Sequence, residues 1–375
     1  MDSVFSLYIH FPFCASFCDY CDFYSVKTKN NNDEYIKAYL SALITDIKNQ
    51  IKLFSVNEIT TAYIGGGTPS LAGNKISFLL DELNRITCFK PAEFTIEANP
   101  ESLTEDFLRL CRGGGINRLS LGVQTFHEPS RNAVSRKGDI KTIKENISLA
   151  CKYFSGNLSF DLITGLPFQN EEIIKQDIKT LLAFEPSHIS LYSLTIEDET
   201  PLKEKIRGKK VMLPDDDTAD SLWLCGIDEL KKAGFDHYEV SNFAMEGKEC
   251  LHNTRYWQMR SWLGAGAAAS GTIIKNENEI KRFTYANDID AYIKNPFINS
   301  ALCEEPDKDT FLKESLLMGY RCKEGPDPQV FKKRFGRTIS DYIPNTLLKY
   351  KDKEKMLYLN SFLSDAFIEL ENNEL

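Results

Sequence analysis

The amino-acid sequence predicts an α/β fold: a partial (β/α)6 barrel of the TIM type over residues 1–206, a sheet extension over 207–298, and a small, mainly helical C-terminal domain over 299–375. Three observations carry this expectation. Short apolar, β-branched runs alternate with amphipathic stretches through the first half of the chain, as in a parallel sheet assembled from βα units. Cysteines, a glycine run and single polar residues recur at the C-terminal ends of those runs, the face on which βα barrels bind ligands. Beyond about Ile206 the rhythm fades, and from about Asn299 the chain turns charged and helical in pattern, with Pro306 and Pro326 as punctuation.

The strands expected, in order, are Val4 to His10, Thr61 to Ile64, Glu93 to Ala98, Arg118 to Val123, Leu158 to Ile163 and His188 to Leu194. Between them fall helices from Asp33 to Phe54, Asn74 to Ile86, Thr104 to Cys111 (stopped by Gly113-Gly114-Gly115), Ile140 to Phe154, and Glu171 to Phe184 with Asn170 as N-cap. Ile174, Ile178, Leu181 and Leu182 give the last its buried face. Consecutive parallel strands joined by right-handed crossovers either fan out or curl, and six units suit an open barrel better than a closed eight. Asp215-Asp216-Asp217 then caps a helix from Thr218 to Ala233, and Phe235 to Val240 reads as a further strand extending the sheet. Lys313 to Arg321 and Pro328 to Phe335 are the expected helices of the C-terminal domain, which carries no chemistry of its own.

At 375 residues, 42% hydrophobic and 26% charged, the chain has enough material for two or three domains with substantial cores. Its most apolar small-residue stretch, Leu263 to Ile274, is far shorter than the roughly 20 residues of a spanning helix, so no transmembrane segment is expected. A net charge of −9 argues against a nucleic-acid binder, which needs a basic face, and gives no electrostatic reason for membrane docking. Seven of the ten cysteines (Cys88, Cys111, Cys151, Cys225, Cys250, Cys303 and Cys322) are scattered without paired spacing and read as buried thiols in a reducing cytoplasm. Met1 leads almost directly into the first strand, with no basic segment or cleavage site, so a secreted, disulfide-bonded protein is not expected.

The other three cysteines, Cys14, Cys18 and Cys21, are packed into eight residues just after the first strand. An iron–sulfur cube has four irons; three thiolates in a Cys-x3-Cys-x2-Cys loop hold three of them and leave the fourth open to an exchangeable ligand. Other readings compete. The same spacing lines one face of a helix, although Pro12 and the crowd of aromatics from Phe11 to Tyr24 suit a loop better. A zinc site needs a fourth ligand, for which only His10 is at hand.

The remaining rim residues are Gly65-Gly66-Gly67-Thr68-Pro69 after the second strand, Glu97 ending the third, Gln124 after the fourth and Asp161 late in the fifth. The glycine run lacks the Gly-Lys-Ser/Thr ending of a P-loop, but permits close backbone approach by a ligand. Each of these residues taken singly reads as structural. Their common placement beside the cysteines suits a nucleoside with ribose hydroxyls and an amino-acid tail, which needs acceptors and glycine-lined walls.

Together these residues resemble the radical S-adenosylmethionine (SAM) superfamily. In that superfamily the open iron of a 4Fe-4S cluster binds the amino and carboxylate groups of SAM, and one electron cleaves the sulfonium to a 5'-deoxyadenosyl radical. Within it, Tyr8-Ile9-His10-Phe11-Pro12-Phe13-Cys14, Gly122-Val123-Gln124-Thr125-Phe126 and Asp161 to Pro167 are similar to the oxygen-independent coproporphyrinogen III oxidase group. The resemblance implies cluster ligands at Cys14, Cys18 and Cys21, SAM contacts at Tyr8 and Gly66, a ribose acceptor at Glu97, and pocket positions at Gln124, Arg136, Asp161, Tyr20, Gly67 and Thr68.

Two features separate the chain from the oxidases proper: Phe23 stands where they carry a fourth cysteine, and their N-terminal extension is missing before Val4. His252-Asn253-Thr254-Arg255-Tyr256-Trp257 instead resembles the His-Asn-x-x-Tyr-Trp motif of the sister group of heme chaperones, the HemW proteins, and implies His252 as a heme-iron ligand. The bland alternative is a core helix with a hydrogen-bonded histidine. Ser135-Arg136-Lys137-Gly138 and Gly266 to Gly271 depart from the motifs usual in that group, both near the presumed substrate side.

The resemblance thus implies a cytoplasmic 4Fe-4S, SAM-binding heme chaperone that delivers heme to client hemoproteins and draws on an electron donor. The alternative is an anaerobic coproporphyrinogen III oxidase that decarboxylates a porphyrinogen in porphyrin biosynthesis. A third reading is a structural metal protein without SAM chemistry. Whether the chain is an enzyme is left open at this point.

Overall fold

The computed structural model describes residues 4–28, 33–276 and 278–372. Its strands are β1 (Val4–Phe11), β2 (Glu58–Gly66), β3 (Phe89–Ala98), β4 (Arg118–Gln124), β5 (Leu158–Thr164), β6 (His188–Ser193), β7 (Asp236–Glu239), β8 (Asn242–Ala244), β9 (Trp262–Ala265), β10 (Ser270–Asn276), β11 (Glu279–Thr284) and β12 (Leu302–Glu304). They form one sheet in the order β12-β11-β10-β9-β1-β2-β3-β4-β5-β6-β8-β7. The run β1 to β6 is consecutive and parallel, as the βα rhythm predicts, and the sheet is open at both edges.

Local chemistry sets the helix boundaries. Asn170, Thr104, Asp139 and Asp215 each accept a hydrogen bond from the backbone N–H three residues on, starting helices at Glu171, Glu105, Ile140 and Asp216. The helix expected from Asn74 starts only at Ile76, after a 3-10 turn over Pro69–Lys75, because Gly73 (φ 55°, ψ −131°) takes the backbone out of the helical region. In the C-terminal region the first helix starts at Lys308, five residues before the sequence reading, because Asp307 caps it through the N–H of Thr310.

The largest departure lies at the β1 edge. The apolar stretch Leu263 to Ile274 contains most of β9 and β10, and β9 pairs in parallel with β1 as a seventh parallel strand. Gly264, Ala265, Gly271 and their small neighbours have weak strand propensity, which hid these strands in the sequence. Close packing demands them: a Cβ on Gly264 would lie 2.1 Å from the Ser270 carbonyl oxygen. This edge is locked to the barrel by buried Asp46 of the first helix (Asp33–Leu53), whose carboxylate accepts 2.6 Å hydrogen bonds from Tyr285 and Tyr292 and a 2.9 Å bond from Gln50. The last strand, Leu302–Glu304, continues this sheet beyond residue 298.

The main core lies between the sheet and its outer helices, from Leu7, Ile9 and Ile64 to Leu191 and Phe243. Phe311, Leu316, Phe331, Phe335, Phe362 and Ala366 form a second core that joins the C-terminal helices to Met259, Ile274 and Ile280. Among the described residues no helix is long and apolar enough to cross a membrane.

Candidate functional site

Strand pleating sends alternate residues to opposite faces, so Tyr8, Tyr63, Glu93, Glu97 and Asp161 look into the barrel while Leu7, Ile9 and Ile96 face the outer helices. The barrel interior is therefore polar. At its C-terminal rim lies a cleft of about 410 Å³, lined by Cys14, Cys18, Cys21, Gly66, Gly67, Thr68, Glu97, Gln124, Arg136 and Asp161 together with Tyr20. The structure thus brings together eleven of the residues singled out from the sequence.

The cysteines lie on a loop, not a helix. Its ends are clamped where Phe13–Cys14 pairs with Val26–Lys27, with Val26 N donating to Pro12 O at 2.7 Å and Thr28 N to Cys14 O at 2.9 Å. Asp19 fastens its middle by accepting from Ser135 Oγ (2.7 Å) and by pairing with Lys205. All three cysteines are free thiols. Thr68 Oγ1 lies 3.6 Å from Cys14 Sγ and an Arg136 guanidinium nitrogen 3.5 Å from Cys18 Sγ, so donors point at two of the sulfurs as an anionic cluster requires. His10 cannot complete a zinc site here, because its ring nitrogens are engaged by Tyr8 OH (2.9 Å) and Tyr24 O (3.0 Å). Among the described residues no three His, Cys, Asp or Glu side chains converge as a single metal ion requires; a cube spreads its thiolates over three irons and needs no such convergence. The donor set fits an iron–sulfur cube.

The glycine run is welded to this loop. Gly67 N donates to Phe11 O and Thr68 N to Phe13 O, both at 2.8 Å. Gly66 has φ +109°, and a Cβ there would sit 2.4 Å from the His10 ring. Gly66→Ala is accordingly expected to cost about 2–3 kcal/mol in urea unfolding, from backbone strain plus the clash. An unchanged unfolding midpoint would contradict this placement.

Glu97 accepts from Tyr63 OH at 2.7 Å and from Gly66 N at 3.1 Å. Burial nevertheless pushes its carboxyl up to about 7, with the nearby Asp161 adding to the effect. Asp161, held by Ser120 Oγ at 3.3 Å, is pushed up to about 6, again by burial. Gln124 takes φ +70° at the end of β4, and its buried Oε1 has no partner. Arg136 is buried, donates to Asn99 Oδ1 at 2.8 Å and to Gly122 O, and faces Glu101 at 3.8 Å. Asn99 was missed as a site residue: its amide also donates to Thr68 Oγ1 at 3.0 Å, joining the glycine run to Arg136. Its position two residues after Glu97 was the available signal.

Two assignments land elsewhere. Tyr8 does not line the cleft; its phenol is bonded to His10 behind Gly66, and its ring stacks on Tyr63 at 6.4 Å. His252 lies at the opposite end of the barrel, on the short helix Leu251–Trp257 that plugs the floor. The N–H groups of Leu251 and His252 donate to the Glu93 carboxylate (3.1 and 2.9 Å), and the His252 ring nitrogens meet Thr61 Oγ1 (3.0 Å) and Tyr256 OH (2.8 Å). It is 1% exposed, and burial pushes its pKa down to about 3. In this arrangement it offers no free nitrogen to a heme iron.

Comparison with known proteins gives the chain its relatives. The Radical SAM superfamily profile matches residues 8–181. A heme chaperone HemW from Lactococcus lactis is 32% identical over 98% of this chain and 95% of that protein, and the Escherichia coli heme chaperone HemW is 33% identical over 79% and 77%. A mouse protein, the mitochondrial radical S-adenosyl methionine domain-containing protein 1, is 33% identical over 72% of this chain and 61% of its own length. In structure, the Escherichia coli coproporphyrinogen III oxidase HemN superposes with a TM-score of 0.77 over 96% of this chain and 89% of its own, at 22% identity, which establishes the shared fold. A loop of three free cysteines with a glycine run bonded to it stands at the rim of a fold shared with these proteins, and the chain belongs to the radical SAM superfamily, with the HemW proteins.

Proposed function

We propose that this protein is a heme chaperone: it holds a 4Fe-4S cluster on Cys14, Cys18 and Cys21, binds SAM in the adjoining cleft, carries heme, and passes it to client hemoproteins in the cytoplasm. The observation that carries this reading is the 32% identity to a heme chaperone across 98% of this chain and 95% of that protein. Phe23, where the oxidases have a fourth cysteine, supports it.

Cluster and SAM, when bound, supply one-electron reduction of a sulfonium, with the electron coming from a partner reductase. The chain's part is to hold and orient. Gly66 and Gly67 allow close backbone approach, Gln124 Oε1 is an unused acceptor, and Arg136 keeps a guanidinium beside Cys18. Glu97 is the ribose acceptor, with Tyr20, Thr68 and Asp161 completing the walls and Tyr8 bracing His10 behind Gly66.

A pH dependence follows. Glu97 is raised from 4.5 to about 7, so ligand-free protein carries it protonated below that pH, and the empty fold loses stability as pH rises from 4.5 to about 7, where only the unfolded chain has released the proton. Two ribose hydroxyls donate best to the carboxylate. SAM affinity is expected to rise by up to about tenfold per pH unit on approaching pH 7 from below and to flatten above it. Glu97→Gln is expected to remove the step near pH 7, leaving only that of Asp161 near pH 6. Calorimetric titration of SAM between pH 5.5 and 8.5 measures this, and a flat wild-type profile would contradict the role of Glu97.

The functional test is anaerobic. The reconstituted protein is titrated with hemin and, in parallel, supplied with SAM, a reductant and coproporphyrinogen III. Heme uptake that can be passed on to an apo-hemoprotein, without release of CO2, is the expected result. Turnover to a vinyl product would establish the oxidase instead.

A further inference from the structure

If the protein carries heme, the macrocycle needs a seat, and His252 is not on offer. None of the five histidines lines the cleft. His10, His188 and His252 each have both ring nitrogens engaged, and all three are buried.

The mouth of the cleft offers a different chemistry. Phe17 and Phe23 stand on the cysteine loop, 48% and 67% exposed, and Tyr192, 41% exposed, stands with Leu194 at the end of β6. Since β1 and β6 are the outermost of the six consecutive parallel strands, these two groups bracket the opening from opposite sides. The floor between them is polar and sized for one small ligand. Large aromatics left open to water above a polar floor suit a flat apolar disc laid across the top.

Charge narrows the choice of disc. Asp22 and Glu197 line the mouth and are exposed, while Arg136, the one cation lining the cleft among the described residues, is already bonded to Asn99 and faces Cys18 and Glu101. Among the described residues no free cation in the lining meets carboxylates. A tetrapyrrole with two propionates can turn both toward solvent, whereas one with four must bring some of them against Asp22 or Glu197.

We propose that this mouth seats a planar, two-carboxylate tetrapyrrole, stacked between Phe17 and Phe23 on one side and Tyr192 and Leu194 on the other, without an axial imidazole from this chain. The proposal rests on the heme-chaperone reading and locates its cargo. It also makes the site selective: the acidic mouth favours protoporphyrin-type over coproporphyrin-type macrocycles. Stacking supplies the affinity, so the central iron is dispensable.

The test uses the full chain, reconstituted anaerobically with its cluster and titrated with hemin, metal-free protoporphyrin IX and coproporphyrin III by absorbance and porphyrin fluorescence. Hemin and protoporphyrin IX are expected to bind within about tenfold of each other, and coproporphyrin III about tenfold or more weaker, a gap that narrows at high salt. The double variant Phe23→Ser/Tyr192→Ser, which leaves the cysteines and the glycine run untouched, is expected to weaken both tight ligands by about tenfold or more, while His252→Gln leaves them unchanged. Should His252→Gln unfold, the metal-free porphyrin arm decides without it. Hemin binding that survives while protoporphyrin IX does not, or coproporphyrin III binding as tightly as protoporphyrin IX, overturns the proposed seat but leaves the chaperone reading standing. Failure of all three macrocycles to bind removes both.

Discussion

Replacing Cys18 by serine is expected to abolish cluster assembly: anaerobic reconstitution should leave iron and sulfide near background, with no reduced-cluster EPR signal. A cube with three protein thiolates cannot spare one, and a hydroxyl is a poor substitute for a thiolate on iron. The fold should survive, because Cys18 sits on a loop whose ends are clamped by backbone bonds at Cys14 and Val26 and whose middle is tied through Asp19. Far-UV circular dichroism and the unfolding midpoint should therefore match wild type within about 1 kcal/mol. Cys14→Ser and Cys21→Ser should behave alike. By contrast Cys303→Ser, at an exposed cysteine remote from the cleft, should assemble normally. Full iron loading of the Cys18 variant would show that this loop is not the cluster's anchor.

Arg136→Met is the second large effect. The guanidinium sits in a nearly closed site, where it reaches Cys18, Asn99, the Gly122 carbonyl and Glu101 together. A neutral side chain leaves Asn99 Oδ1 and Gly122 O without that donor and Glu101 without its counter-charge. Losing one member of such a buried set costs about 3 kcal/mol or more. Urea unfolding of the cluster-free protein measures it, and a loss below about 1 kcal/mol would mean that Arg136 acts only on the ligand. Lysine is no remedy, since one ammonium cannot reproduce the fork that spans Asn99 and Cys18.

Much of this was legible in the sequence because it is written in local, periodic chemistry. Strand alternation located β1 to β6, and caps such as Asn170 and Asp215 marked the helix starts. The rim followed from one rule: unusual residues at C-terminal strand ends meet on one face. What escaped was non-local. The strands β9 and β10 are built from small residues chosen for close contact with neighbours, as Gly264 against Ser270 illustrates, and nothing in their own stretch announces those neighbours. Asn99 went unnoticed, since its two partners, Thr68 and Arg136, are distant in sequence. His252 stayed open between two readings for a related reason. A histidine and a tyrosine four residues apart on a helix can equally mark a ligand site or a mutual hydrogen bond, and only the surroundings distinguish the two. Here Glu93, Thr61 and Tyr256 satisfy the helix start and both ring nitrogens, which makes the hexapeptide a floor for the open barrel.

The central claim is a cube held by three thiolates with its remaining iron left for SAM, and low-temperature EPR of the reconstituted, reduced protein addresses it most directly. Adding SAM to the wild-type chain should shift the g-values and line shape of the cluster signal, because the ligand binds the iron itself. A spectrum indifferent to saturating SAM, or stoichiometric zinc in place of iron on this loop, would contradict the account.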